Sequence, residues 1–99
     1  LNIKLQTQLF VLYEQLQHSL HVGDALTNDI VPRLERAVFE TEKAYQLGKY
    51  SYLEWSAVQQ ELFEAQSDQL DAYFTAHINT VEIERLTGVR LTRLGEEKE

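Results

Sequence analysis

The chain has no cysteine, a single proline and four glycines among its 99 residues. Without cysteine there can be no disulfide bond, no thiolate metal ligand and no cysteine nucleophile. No apolar run reaches the roughly 18 to 20 residues that a membrane-spanning helix needs, and nothing at the start resembles a signal peptide. Because the chain begins at Leu1 rather than at methionine, we expect a processed chain or a piece of a longer protein.

Basic residues are also scarce, since 9 Lys and Arg stand against 16 Asp and Glu for a net charge of −7. Without a basic stripe, nucleic acid is not an expected partner, and a basic membrane-surface helix is not expected either. The sequence contains no G-x-S-x-G element, phosphate-binding loop or H-E-x-x-H motif. We therefore predict that the chain is not an enzyme and needs no cofactor.

Helical periodicity is what the sequence has in abundance, with apolar residues recurring mostly at steps of three and four. The first half carries Leu5, Leu9, Leu12, Leu16, Leu20, Leu26, Ile30, Leu34, Ala37 or Val38, and Tyr45. The second half carries Leu53, Val58, Leu62, Ala65, Ala72, Ala76, Ile83 and Leu86. This predicts an all-α fold, a long antiparallel helical hairpin (coiled coil) over residues 1–88. Its arms should span about 1–47 and 51–87, with a turn at 48–50 and a charged tail at 89–99.

Two segments interrupt the helical pattern. Gly23 and Pro32 disfavour a helix interior, but the apolar stripe resumes nearly in phase after them, which favours a kinked continuous helix over a short break. Gly48 can adopt the left-handed conformation that ends a helix. Ser51 then predicts an N-cap, and Glu54 three residues later completes a capping box.

Aromatic residues gather around this turn, at Tyr45, Tyr50, Tyr52 and Trp55. They could close the end of the hairpin, or they could form a docking surface, because tyrosine and tryptophan are favoured interface anchors. Other apolar residues lie beside the main stripes, namely Phe10, Val11, Phe39, Phe63, Tyr73, Phe74 and Val81. A lone hairpin cannot bury them, so we expect it to assemble into a larger helical bundle.

The segment from about Ile30 to Leu91 resembles the C-terminal helical hairpin of the TolC family of outer-membrane efflux proteins, most closely its cation-efflux, CzcC-like branch. The run around the turn that carries the resemblance comprises Ala44, Tyr45, Gly48, Lys49, Ser51, Leu53 and Glu54. The return helix adds Gln59, Gln60, Ala65 and Gln66, and it closes with Leu86, Thr87 and Gly88. The family commonly has an acidic residue near the position of Ala57, which this sequence lacks.

This resemblance implies a trimeric outer-membrane channel with a helical periplasmic tunnel, in which the chain is a periplasmic wall segment. It implies that the hairpin tip docks the periplasmic adaptor (membrane fusion) protein of a tripartite pump and meets the inner-membrane pump only indirectly. The implied docking residues are Tyr45, Gly48, Lys49, Tyr50, Tyr52 and Leu53. Some of the many carboxylates would line the tunnel and favour cations.

Two alternatives compete with this hypothesis. The chain could be a free-standing helical oligomerisation module. A complete 99-residue gene would rule out the channel hypothesis, since that hypothesis requires a longer polypeptide. A metal site could also be imagined, because His18 and His21 lie three residues apart and His77 lies at the matching height of the other arm, with Asp24 nearby. Histidines with this spacing on a polar helix are more often solvated, and we predict no metal site.

Overall fold

The computed structural model describes residues 3–88, and every regular element in that range is helical. Helix α1 spans Ile3–Ala25, a π-helix follows at Leu26–Ile30, α2 spans Val31–Gln46, and α3 returns from Tyr52 to Thr87. The predicted all-α helical hairpin is therefore confirmed. The predicted tail at 89–99 lies outside the described residues. Within residues 3–88, no helix is both long and apolar enough to cross a bilayer.

The chain divides into two compact units. Among the described residues, the terminal unit joins residues 3–21 with residues 72–88, and the turn unit comprises Val22–Asp71. In each unit a segment of the outgoing arm packs against a segment of α3. Each arm thereby buries the apolar stripe that neither arm could bury alone.

The terminal unit is packed mainly through small side chains. Ile83 is completely buried, and Ala72, Ala76, Asn79 and Ser19 are nearly so. The line of residues along which the two arms pack is here called the seam. The predicted place of Leu20 in the seam is wrong, because its side chain is 40% exposed. The physical reason is helical phase: the seam runs through Leu12, Leu16 and Ser19 in alternating steps of four and three, and the next residue lies about 100° away.

The turn unit has a small apolar core. Leu26, Val31 and Ala65 are buried there, and Val22, Leu34 and Leu62 pack against them. A polar contact also joins the arms, since Gln69 Nε2 donates a hydrogen bond to Thr27 Oγ1 at 2.7 Å. The core is thus built from both arms, and one exposed side-chain hydrogen bond joins them beside it.

The segment between Gly23 and Pro32 is a continuous but distorted helix, as the sequence indicated. Val31 N–H donates to the carbonyl of Leu26, five residues back, so the π-helix holds one residue more than an α-helical turn. The seam accordingly steps from Leu26 to Val31. The predicted seam position of Ile30 is wrong, because Ile30 is 40% exposed while Val31 is buried. Pro32 follows in the first turn of α2.

Candidate functional site at the hairpin turn

Helix α2 ends in a Schellman motif. Gly48 adopts a φ of 77°, which only glycine reaches without steric cost. Its N–H donates to the carbonyl of Tyr45 at 3.0 Å, and the N–H of Lys49 donates to the carbonyl of Ala44 at 2.8 Å. These two bonds satisfy carbonyls that the helix end would otherwise leave unpaired. The backbone of the turn is therefore fixed on its α2 side.

Helix α3 begins with the capping box that the sequence predicts. Glu54 N–H donates to Ser51 Oγ at 3.2 Å, and Ser51 N–H donates to Glu54 Oε2 at 3.4 Å. Because the cap residue itself is not helical, α3 begins at Tyr52, whereas α2 ends at Gln46. The non-helical connection is thus Leu47–Ser51, somewhat wider than the predicted 48–50. It is held by a cap at each end.

Three of the four aromatic residues at the turn pack together. The rings of Tyr45 and Trp55 are stacked, with centroids 5.1 Å apart and planes 15° from parallel. Tyr52 meets both rings edge-on, with its centroid 6.2 Å from that of Tyr45 and 5.9 Å from that of Trp55. Offset stacking and edge-to-face contact are the preferred arrangements of aromatic pairs. This stack closes the arms beside the turn.

The stack still leaves much apolar surface at the turn open to solvent. Leu53 is 78% exposed, Leu47 72%, Tyr52 60% and Tyr50 49%. The apolar stripe of the second arm was predicted to include Leu53, and its exposure shows that it lies outside the seam. Leu47 was not among the predicted docking residues, although its place directly before Gly48 puts it at the helix end. The turn therefore presents an apolar surface, here called the tip surface, formed by Leu47, Tyr50, Tyr52 and Leu53.

A shallow groove adjoins the tip surface. It encloses about 400 Å³ and is lined by Thr41, Tyr50, Glu54, Ala57 and Val58. Its open form gives a small apolar side chain a place to settle but does not enclose a ligand as a substrate pocket does. Where the resembled family commonly has a carboxylate near Ala57, this groove has a methyl group on its wall.

The connection Leu47–Ser51 holds one charged residue, the cation Lys49. Lys49 is the only lysine or arginine between Lys43 and Arg85, and it makes no ion pair among residues 3–88. Lys43 is engaged differently, with its Nζ 4.4 Å from the centre of the Phe39 ring. The acid nearest the turn, Glu54, is used in the capping box. Lys49, a cation without an ion pair among the described residues, therefore lies beside the tip surface.

The other candidate sites from the sequence are not assembled into a metal centre. His18, His21 and His77 are all exposed. Within residues 3–88, no three His, Cys, Asp or Glu side chains lie close enough together to hold a metal ion. Glu82 and Arg85 form an ion pair on α3. The hydrogen bond from the Arg85 guanidinium, reinforced by its positive charge, lowers the pKa of the Glu82 carboxyl.

Comparisons with protein-family models, with curated proteins and with solved structures found no match to this chain. The family resemblance around the turn therefore stays a prediction that depends on the order and spacing of individual residues.

Proposed function

We propose that the chain is a periplasmic coiled-coil segment of an outer-membrane efflux channel, which forms part of the tunnel wall and docks an adaptor protein through its tip surface. The observation that carries the proposal is the exposure of four large apolar side chains on a turn capped at both ends. The resemblance of the surrounding residues to the TolC family supplies the kind of partner. Lys49 would add a charged contact at the rim.

The turn is well suited to binding because its backbone is ordered before a partner arrives. The Schellman motif and the capping box leave the turn little freedom to lose, and ordering a loop on association is one of the main costs of binding. Burying an exposed side chain such as Leu53 stabilises a complex by about 1.5 to 3 kcal/mol. A few such contacts are enough for a specific interface built around apolar anchors.

The proposed role as tunnel wall is supported by the charge distribution on α3 in the turn unit. At about 100° per residue, the carboxylates lie together on one side of the seam, and we call this side the acidic flank. It is formed by Glu61, Glu64, Asp68 and Asp71. In a water-filled tunnel such a surface would favour cations over anions. The arms would belong to a trimer, and the inner-membrane pump would be reached through the adaptor.

The tip surface is tested by changing Tyr50→Ala and Tyr52→Ala together in the protein that carries the hairpin. Because both side chains are exposed and outside the arm seam, we expect little change in expression or helix content. Affinity for the adaptor of the same pump should fall at least about tenfold, and efflux should fall with it. Tyr13→Ala is the matched control, since Tyr13 is 43% exposed but distant in sequence from the turn.

Unchanged adaptor affinity and efflux in the double variant would sink the docking proposal. In that case the aromatic residues serve only to close the coiled coil. The competing hypothesis, a free-standing helical oligomerisation module, would be favoured instead if the gene encoded only these 99 residues.

A further inference from the structure

Helix α3 places two amide side chains in the seam, Gln69 in the turn unit and Asn79 in the terminal unit. Both positions continue the alternating steps of three and four residues that run through the buried alanines of this helix. Gln69 Nε2 donates a hydrogen bond across the arms to Thr27 Oγ1 at 2.7 Å. Asn79 is only 6% exposed, and its Nδ2 has no hydrogen-bond partner in the described part of the chain. The same chemical group is therefore satisfied in one unit and unsatisfied in the other.

The unpaired Nδ2 of Asn79 is unfavourable only while the two arms are packed together. A buried donor without an acceptor has given up its hydrogen bonds to water and has received none in return. When the arms separate at this level, the amide becomes hydrated again and the penalty disappears. The penalty therefore raises the free energy of the closed terminal unit but not that of the open one, and it shifts the equilibrium towards the open form.

The turn unit is also better packed than the terminal unit. Among the described residues of the terminal unit, Ile83 is the only large apolar side chain that is buried, and the other buried residues are small or polar. In the turn unit, the buried Leu26 and Val31 belong to an apolar cluster with Ala65 and three further side chains that are partly buried. Because stabilisation by packing grows with the apolar area removed from water, the terminal unit is less able to offset the penalty at Asn79.

We propose that Asn79 makes the terminal unit an independently opening part of the hairpin, in which the arms separate and close again while the turn unit stays packed. The turn unit keeps its apolar core, its hydrogen bond between Gln69 and Thr27, and a connection that is capped at both ends. In the open form, residues 3–21 lose their packing against α3. Since most of the stability of a helix comes from such packing, the backbone amides of this segment become accessible to water. This opening goes beyond the proposed docking function and involves none of the tip residues.

Native-state hydrogen exchange of the 99-residue chain, followed by NMR, measures this opening directly. We expect the amides of residues 12–19 in α1 to be at least about tenfold less protected than those of residues 34–41 in α2. Asn79→Leu should raise the protection of residues 12–19 at least about tenfold, because leucine has as many side-chain heavy atoms as asparagine and no unpaired donor. Asn79→Ala removes the donor without adding volume, so it should also raise this protection, even if leucine disturbs the packing.

Two control variants separate this opening from other effects on the hairpin. Gln69→Leu removes the satisfied donor of the turn unit, which is closed in both forms, so the protection of residues 12–19 should change less than about twofold. Thr75→Leu raises the helix propensity of α3 at an exposed position of the terminal unit, as Asn79→Leu does in the seam, and its effect on the same amides should also be less than about twofold.

Equal protection of residues 12–19 and 34–41 in the unmodified chain would overturn the proposal, because the hairpin would then open as one unit. The proposal also fails if neither Asn79→Leu nor Asn79→Ala raises the protection of residues 12–19. It fails as well if Gln69→Leu or Thr75→Leu changes this protection as much as Asn79→Leu does. None of these substitutions alters the tip surface, so the result is independent of adaptor docking.

Discussion

The segments around Gly23–Pro32 and Gly48–Ser51 both contain residues that disfavour helix, yet the chain continues as helix through the first and reverses at the second. In the first segment Gly23 is buried within α1, and Pro32 falls in the first turn of α2. In the second, Gly48 has a positive φ and an N-cap follows three residues later. The number of breaking residues is therefore not what separates the two outcomes.

The two segments differ in the residues that surround each helix-disfavouring residue. Seam residues Leu26 and Val31 lie between Gly23 and Pro32 and are buried against α3, so tertiary packing keeps this stretch helical despite its composition. Gly48, which ends α2 and is here called the stop signal, is followed three residues later by Ser51, the N-cap of α3 and here called the start signal. The backbone groups of both helix ends form hydrogen bonds inside the turn. A chain reverses where stop and start signals adjoin, and it bends or widens where burial continues on both sides.

The largest effect on the free energy of unfolding is expected from a single-residue deletion in α2, compared with one in the π-helix. Deleting Arg36 from α2 should rotate Val38 and Thr41 out of the seam by about 100° and cost about 3 kcal/mol or more of unfolding free energy, from the lost burial of both side chains. Deleting Asn28 removes the extra residue of the π-helix and should cost less than about 1 kcal/mol, because the seam then has an ordinary four-residue step. Urea unfolding followed by circular dichroism measures both. Equal losses would contradict this account of the π-helix.

A smaller effect is expected at the turn from Gly48→Ala. An added Cβ would meet no atom within 4 Å, so the cost arises from the left-handed backbone alone, at about 1 to 2 kcal/mol. Gly48→Asn should recover part of this loss, because asparagine tolerates that conformation better. Thermal unfolding of the two variants gives the comparison. Equal stability of Gly48→Ala and the unmodified chain would show that the turn can form without a positive φ.

The start signal is weaker than the stop signal and is tested by Ser51→Ala. Losing the side-chain acceptor for the N–H of Glu54 should destabilise the hairpin by about 1 kcal/mol, while Ser51→Asp should preserve most of the stability. The same unfolding measurement applies. If both substitutions cost the same, the cap contributes nothing to the reversal.

The smallest effect is expected from Pro32→Ala. If seam phase rather than proline causes the π-helix, the substitution should change stability by no more than about 0.5 kcal/mol. The hydrogen bond from Val31 N–H to the carbonyl of Leu26 should persist. Amide hydrogen exchange and through-bond NMR couplings report on that bond directly. A return to α-helical pairing, with Val31 bonded four residues back, would identify proline as the cause.

The sequence predicts the features that depend on local chemistry. The all-α hairpin, the capping box of Ser51 and Glu54, and the exposure of off-seam residues such as Phe39 and Phe63 all follow from periodicity and cap preferences. The sequence left open whether Tyr45 and Trp55 close the arms, and the observed stack resolves that question for these two rings. Their spacing of ten residues across a turn had no unique geometry from sequence alone.

The features that could not be predicted depend on the opposing arm. A one-residue shift such as that from Ile30 to Val31 has no local signature, because both residues are apolar and β-branched. Ser19 rather than Leu20 likewise lies in the seam because of its angular position on the helix, although leucine is the more hydrophobic residue. The exposure of Leu53 also differs from its apparent place in the stripe, since α3 has only just begun there and the seam starts at Trp55 and Val58.

The central claim, that the tip surface touches an adaptor protein, is tested most directly by site-specific photocross-linking in living cells. A photoreactive amino acid at position 50, in the protein that carries the hairpin, should cross-link to the periplasmic adaptor of the same pump, and the same group at position 13 should not. This measures proximity without relying on loss of activity. The absence of an adaptor cross-link at position 50, or equal cross-linking at position 13, would contradict the account.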